Sequence, residues 1–316
     1  MYDVVALGEM LIDFTPAGKS ENGNTLFEMN PGGAPANVLT AVTKLGGKCA
    51  FIGMVGDDQF GHFLKRVLDK NMIETRGLKN TVKANTTLAF VHLDELGDRS
   101  FTFYRNPGAD VMLSIEDIDR TLIDESKIFH FGSLSLTDEP SKTATLTALM
   151  YAKQTGKIIS YDPNWRPTLW KDEILAKEVL FSPLKYVDIA KLSLEELYFL
   201  TGESDVQVAS SKLYDMGIKL VLVTLGKDGC YYKHSSGSGR IPAFFVDVVD
   251  TTGAGDAFLG GILYNISKIG CSIEKIDHSD IEEIIRFSNA VGGLCTTKKG
   301  AIPAMPSMGE VKKLLS

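Results

Sequence analysis

Apolar positions along the chain fall into two patterns: short, mostly apolar runs and longer stretches with a helical repeat. Residues 4–7, 49–52, 128–131, 157–161, 187–192 and 220–224 are short, mostly apolar runs, which is how strands buried on both faces read. Helical stretches lie between them. Residues 36–44 are entered through Pro35, and residues 58–71 carry Phe60, Phe63, Leu64, Val67 and Leu68 on one face. Residues 143–153, 194–200 and 206–215 follow the same repeat. Repeated strand–helix units predict an α/β fold with a mostly parallel central sheet covered by helices.

Two segments interrupt this rhythm. Residues 15–30 are polar and turn-rich, with Pro16, Gly18, Asn22, Gly23 and Asn24. Residues 86–93 and 100–104 read as an antiparallel hairpin turning around Glu95-Leu96-Gly97-Asp98, in which Phe101 and Phe103 alternate with Thr102 and Tyr104. The expectation is a single domain over 1–316 with one small β lid formed by about 15–30 and 86–110. A lid suits chemistry from which water must be kept. An open β lid also invites pairing of two lids across a homodimer. Residues 235–239 read as a flexible loop.

Composition narrows the function classes. Hydrophobic residues at 44% and charged residues at 23% describe an ordinary soluble protein large enough for a sizeable core. A net charge of −7 argues against a general nucleic-acid or anionic-membrane surface. Cys49, Cys230, Cys271 and Cys295 are widely spaced and form no CxxC pair, so they read as free thiols in a reducing compartment. The five histidines are scattered without metal-ligand spacing. The start of the chain reads as a strand, and no apolar run approaches the ~20 residues of a spanning helix, so the expected location is cytoplasmic.

The chemistry concentrates in Asp250-Thr251-Thr252-Gly253-Ala254-Gly255-Asp256-Ala257-Phe258, followed by an apolar helical run to Ile269. A glycine-rich turn opening a helix presents free backbone N–H groups and positive potential, and so forms an anion site. A carboxylate at that point repels a resting phosphate, but it suits removal of a proton from a nucleophile attacking one. The motif therefore suggests phosphoryl transfer. Two other matches fail. Gly18-Lys19-Ser20 resembles the end of a P-loop, but Asp13 stands where its first glycine should be; Gly253-x-Gly255 lacks the third glycine of a dinucleotide turn, where Phe258 stands. A second cluster, Asn30-Pro31-Gly32-Gly33-Ala34-Pro35-Ala36-Asn37, permits close backbone approach to a small ligand and offers a donor and an acceptor on Asn37. Read alone, it is equally a tight loop before a helix. Asp13 follows the first strand, where ligands collect in open α/β sheets.

Residues 250–263 resemble, position by position, the C-terminal signature of the ribokinase-like (PfkB) carbohydrate kinases, and residues 32–56 resemble the N-terminal one, with Gly33, Pro35, Asn37, Gly46 and Gly56 in place. Leu39 departs from it, since a small residue is usual there. Gly8-Glu9-Met10-Leu11-Ile12-Asp13-Phe14, Phe103-Tyr104-Arg105-Asn106-Pro107, Asp162-Pro163-Asn164-Trp165-Arg166 and Lys191-Leu192-Ser193-Leu194-Glu195-Glu196 are most similar to fructokinases within that family. The resemblance implies a three-layer α/β/α fold and an ATP-dependent sugar kinase. It assigns Asp256 as general base and the amides of Gly253, Ala254 and Gly255 as the anion hole. Asp13, Gly33, Asn37, Arg105 and Arg166 would hold the sugar. Lys191, Thr224, Gly226, Gly229 and Asn289 would line the nucleotide. Glu196 would organise Mg²⁺ through water, with Ser193 replacing the family's usual Asn. Asp250 and Thr252 match side-chain ligands of a K⁺ ion, and Ala304 stands where some relatives supply a serine. The partners implied are sugar and ATP. Fructose is the substrate expected; 2-keto-3-deoxygluconate or ribose remain open, as does a non-catalytic sensor on the same fold.

Overall fold

The structure, a computed structural model, describes residues 1–93 and 99–316. Its strands in chain order are β1 (Tyr2–Leu7), β2 (Leu11–Lys19), β3 (Thr25–Gly32), β4 (Cys49–Gly56), β5 (Ile73–Thr81), β6 (Leu88–Leu93), β7 (Arg99–Tyr104), β8 (Ser126–Gly132), β9 (Ile158–Asp162), β10 (Ile189–Ser193), β11 (Leu220–Thr224), β12 (Cys230–His234) and β13 (Gly237–Ile241). The helices are α1 (Ala34–Lys44), α2 (Gln59–Lys70), α3 (Arg120–Asp124), α4 (Ser141–Gln154), α5 (Glu173–Phe181), α6 (Leu194–Thr201), α7 (Val206–Asp215), α8 (Ala254–Lys268), α9 (His278–Cys295) and α10 (Met308–Leu315).

Among the described residues, nine strands form one sheet in the order β13-β12-β11-β10-β9-β8-β1-β4-β5. From β5 to β11 all neighbours are parallel, and only β12 and β13 turn back antiparallel. The strands read as mostly apolar because both faces are covered. Val4 and Ala6 pack on one side with α1, α2, α8 and α9. Val5 and Leu7 pack on the other with α3 to α7. This is the three-layer α/β/α arrangement.

A second sheet, in the order β3-β2-β6-β7, stands beside the first. The segment read as polar and turn-rich is a hairpin: β2 and β3 pair antiparallel from Leu11↔Gly32 to Lys19↔Thr25, with a register shift between Pro16 and Lys19. Pro16 and Gly18 hide the strand pattern because they fall at that irregularity. The small sheet therefore begins at Leu11, earlier than expected. β2 also joins β6 in parallel through Ile12↔Leu88, Asp13↔Ala89 and Phe14↔Phe90. The expected turn at 95–98 lies outside the described residues. Successive side chains alternate across a strand, so Phe14 and Asp13 take opposite faces. One face carries Phe14, Phe27, Phe90 and Tyr104 in mutual ring contact; Phe14 and Phe90 are stacked at 4.8 Å between centroids. The other carries Asp13.

Residues 235–239 are the hairpin turn at Ser235–Ser236 and the start of a strand, and not one continuous loop. Gly237 and Gly239 belong to the edge strand β13, and a Cβ on Gly237 would come within 2.9 Å of the His278 ring. Small residues chosen for that close approach leave no apolar signal. No helix among the described residues is long and apolar enough to cross a membrane.

Candidate active site

Parallel strands deliver their C-terminal ends to one edge of the sheet, where ligands gather in open α/β folds. β9 ends at Asp162, β10 carries Lys191 and ends at Ser193, and β11 ends at Thr224. A cavity of about 350 Å³ lies there, lined by Asn164, Arg166, Lys191, Glu196, Gly253 and Asp256, among others. A second, of about 420 Å³, shares Ser193 and Glu195 with it and runs on to Thr224, Gly226 and Arg240. Together they form one cleft.

The helix N-termini at this cleft differ in a telling way. α1 is capped by Gly33 (φ 116), which brings no side chain, but Glu9 Oε1 accepts the Ala34 amide at 2.9 Å. A Cβ on Gly33 would sit 2.5 Å from the Glu9 carbonyl oxygen, so only glycine fits this approach. α8 is capped by Gly253 (φ 76) with no side-chain hydrogen bond to its first turn. The Ala254 amide makes only a long bond, 3.3 Å, to Thr251 O. That turn is left able to receive an anion. Lys191 stands over it: a Cβ on Gly255 would meet Lys191 Nζ at 2.9 Å.

Asp256 lies in this first turn and is buried. Its Oδ2 accepts from Asn37 Nδ2 at 2.8 Å. Burial pushes its carboxyl up to about 6, and the Asp162 charge adds to this; Lys191, the Asn37 hydrogen bond and Arg166 oppose it. Asn37 Oδ1 is buried and has no partner among the described residues, which leaves one acceptor for a ligand hydroxyl. Asp13 reaches the cleft from the small sheet. Enclosure pushes its carboxyl up to about 7, Arg166 opposing and Asp256 adding. Asp13, Arg166 and Asp256 are therefore electrostatic neighbours although they come from β2, the loop after β9, and α8. The Arg166 guanidinium also donates to Trp165 O at 3.1 Å.

Lys191 is buried and donates to Asp162 Oδ2 at 2.9 Å. Burial alone would lower its pKa, but Asp162, Glu196 and Asp256 raise it above the ordinary value. Glu196 is fixed by a capping box: its Oε2 accepts the Ser193 amide at 2.7 Å, and Ser193 Oγ accepts the Glu196 amide at 3.1 Å. Its Oε1 accepts the Trp165 amide at 2.7 Å. The S-x-x-E spacing announces this box in the sequence. Asp250 braces two turns, accepting from the Thr252 amide at 2.8 Å and the Gly300 amide at 2.9 Å. Ala304 is buried.

Three expected residues stand apart from the cleft. The Arg105 guanidinium is 4% exposed and bound on every side: Nε to Asp110 at 2.8 Å, Nη1 to Thr137 Oγ1 at 2.8 Å, Nη2 to Leu134 O at 2.9 Å and to Asp110 at 2.6 Å. It is a strut between the stem of the small sheet and the loop after β8, and not a pocket arginine. Asn289 donates to Ile241 O and Pro242 O, both at 3.0 Å, tying α9 to the chain beyond β13. Gly229 (φ 91) is the turn residue between β11 and β12; a Cβ there would meet Ala243 N at 2.6 Å. Sequence reasoning passed over Asp162 and Asn164. The signal was an aspartate at the end of a predicted strand, the usual ligand edge of such a sheet.

The model of the pfkB family carbohydrate kinases matches residues 1–308. The chain is similar to probable fructokinase-5 of Arabidopsis thaliana, 45% identical over 315 residues that cover 99% of this chain and 97% of that protein. It resembles the crystal structure of a fructokinase with bound ATP from Xylella fastidiosa at a TM-score of 0.92 and 36% identity, covering 100% of this chain and 98% of that one. A fructokinase from Vibrio cholerae O395, in a form with fructose, ADP and calcium ion bound, matches at a TM-score of 0.90 and 33% identity over 99% of both chains.

Proposed function

The chain belongs to the pfkB family of carbohydrate kinases, and from that premise we propose that it transfers the γ-phosphoryl group of ATP to the primary hydroxyl of fructose, giving fructose 6-phosphate. The observation that carries this reading is Asp256 in the first turn of a helix whose N-terminus has no side-chain cap. A carboxyl lifted to about 6 is ionised at neutral pH yet basic enough to accept the proton of an attacking hydroxyl. The amides of Gly253, Ala254 and Gly255 then face the charge that develops on the transferring phosphoryl oxygens, and Lys191 adds a fixed positive charge beside them. Asp13, the free acceptor of Asn37, the Gly33 turn and Arg166 hold the sugar hydroxyls. Closure of the small sheet over them excludes water. ATP extends along the second cavity past Thr224 and Gly226, with Gly229 shaping the turn and Asn289 holding the segment that follows β13.

The metal proposed is Mg²⁺. Among the described residues no group of three His, Cys, Asp or Glu side chains is arranged around a common point. Glu196, a carboxylate lining the first cavity, suits a hard ion which keeps water and phosphate ligands, and would be the protein's contribution through water. When bound, the ion neutralises charge on the phosphate oxygens. K⁺ is proposed beside the Asp250–Thr252 brace, where a cation firms up the turn that carries the anion-hole amides. A homodimer through the aromatic face of the small sheet, and a cytoplasmic location in keeping with four free cysteines, complete the reading.

Asp256→Asn tests it. The variant is expected to bind fructose and ATP and to lose at least ~10²-fold in kcat, the scale of a positioned base. Near-normal turnover would refute the assignment. The same assay run on fructose, 2-keto-3-deoxygluconate and ribose, with and without K⁺, identifies the sugar and the ion.

A further inference from the structure

Asp162 is 1% exposed, and each of its carboxylate oxygens has a separate task. Oδ2 accepts from Lys191 Nζ at 2.9 Å, and Lys191 in turn stands against Gly255 in the first turn of α8. Oδ1 accepts the Asn164 amide at 3.1 Å. Asn164 holds φ 44, a left-handed backbone that asparagine tolerates better than most non-glycine residues. In that conformation its Nδ2 faces Asp256 Oδ1 at 3.5 Å. The same carboxylate therefore holds the lysine on the phosphate side of the reaction and shapes the turn on the base side.

We propose that Asp162 is a positioning residue for phosphoryl transfer: it fixes the Lys191 ammonium over the anion-binding turn and, through its own charge and the Asn164 turn, sets the working state of Asp256. It is 1% exposed and is not among the residues that line either cavity. The inference rests on the kinase reading above and adds a residue to it. Its alternative, a plain buried ion pair, would hold the fold without touching the titration of the base. The titratable and charged groups facing Asp256 are Asp162, Lys191, Arg166, Asp13 and the Cys295 thiol. Of these, Asp162 is the carboxylate that Lys191 grips directly.

Asp162→Asn keeps the shape and an acceptor for the Asn164 amide but removes the charge. It is expected to raise KM for ATP at least ~10-fold, the scale of a lost charge-assisted hydrogen bond. The acid limb of kcat against pH is expected to move down by roughly one unit, as for a carboxyl freed of a like charge. Should the variant fail to fold, the charge-neutral pair Asp162→Asn with Lys191→Met replaces it and is read against Lys191→Met alone; the acid limb must still move down. An acid limb that stays in place refutes the proposal, as does an unchanged KM for ATP in Asp162→Asn. The wild-type enzyme is assayed alongside with whichever sugar it turns over. Failure of fructose there counts against the fructose reading, whereas an unshifted Asp162 variant counts against this one.

Discussion

Replacing Arg105 by Met separates two roles that its position in the sequence cannot. If it is the strut seen here, the change removes one partner of a buried ion pair and leaves Asp110, 2% exposed, with a single remaining side-chain bond, from Thr87 Oγ1 at 2.5 Å. Breaking such a pair from one side costs about 3–5 kcal/mol. The bonds to Thr137 Oγ1 and Leu134 O are lost as well, so the upper half of that range is expected. For a chain of 316 residues the entropy of unfolding near the midpoint is on the order of 0.66 kcal/mol per degree, so the fall in Tm is about 6–8 °C. Replacing Asp110 by Leu in the same chain removes the stranded carboxylate and is expected to restore most of that loss. Differential scanning calorimetry of the wild type, both single variants and the double variant gives the cycle. KM for fructose at a temperature well below the transition gives the second axis, and it is expected to move less than about threefold, since the guanidinium lies outside the cleft. A Tm within about 1 °C of wild type, together with a tenfold rise in KM for fructose, would refute the strut and return Arg105 to the sugar pocket.

Two further outcomes follow from the geometry. Because a raised carboxyl must still ionise to act as base, kcat is expected to fall on the acid side of about pH 6, tenfold per unit, and Asn37→Ala, which removes a bond favouring the charged form, moves that limb upward; a limb left near pH 4 in both would contradict the role of Asp256. The exposed Phe27 and Met29 lie on the aromatic face of the small sheet, so Phe27→Ser with Met29→Ser is expected to convert a dimer to a monomer by light scattering; a wild type that is monomeric across the micromolar range would sink the lid-to-lid dimer.

How far the sequence could be read depended on whether the signal was local. The strands of the main sheet were legible because burial on both faces leaves apolar runs that need no partner to be recognised: Leu220–Thr224 has the expected bounds, and Val206–Asp215 likewise. The glycine turn that opens α8 was legible for the same reason, since a helix start is a property of one short segment. β2, β3 and β13 were not. β2 and β3 form one hairpin and β13 pairs with the β12 that precedes it, but proline and glycine mask the pattern: Pro16 and Gly18 fall at the register irregularity of β2, Pro31 and Gly32 close β3, and Gly237 lies against the His278 ring.

The charged residues divide along the same line. Asp256 could be placed because its motif contains its own helix start. Arg105 and Asp162 could not, because a charge means one thing in a cleft and another beside a buried counter-charge, and the counter-charges, Asp110 and Lys191, are assigned only by the fold. Asp110 follows Arg105 by five residues with the Asn106–Pro107 turn between them, so even this near neighbour is brought round by the backbone and not by a helical repeat. Asp162 and Lys191 sit on adjacent parallel strands, β9 and β10, 29 residues apart. Parallel pairing of that kind brings two strand ends to the same edge by construction. An aspartate closing one predicted strand and a lysine near the close of the next are therefore candidates for an ion pair at the ligand edge, a rule that would have found this pair from the sequence and would have left Arg105 unassigned.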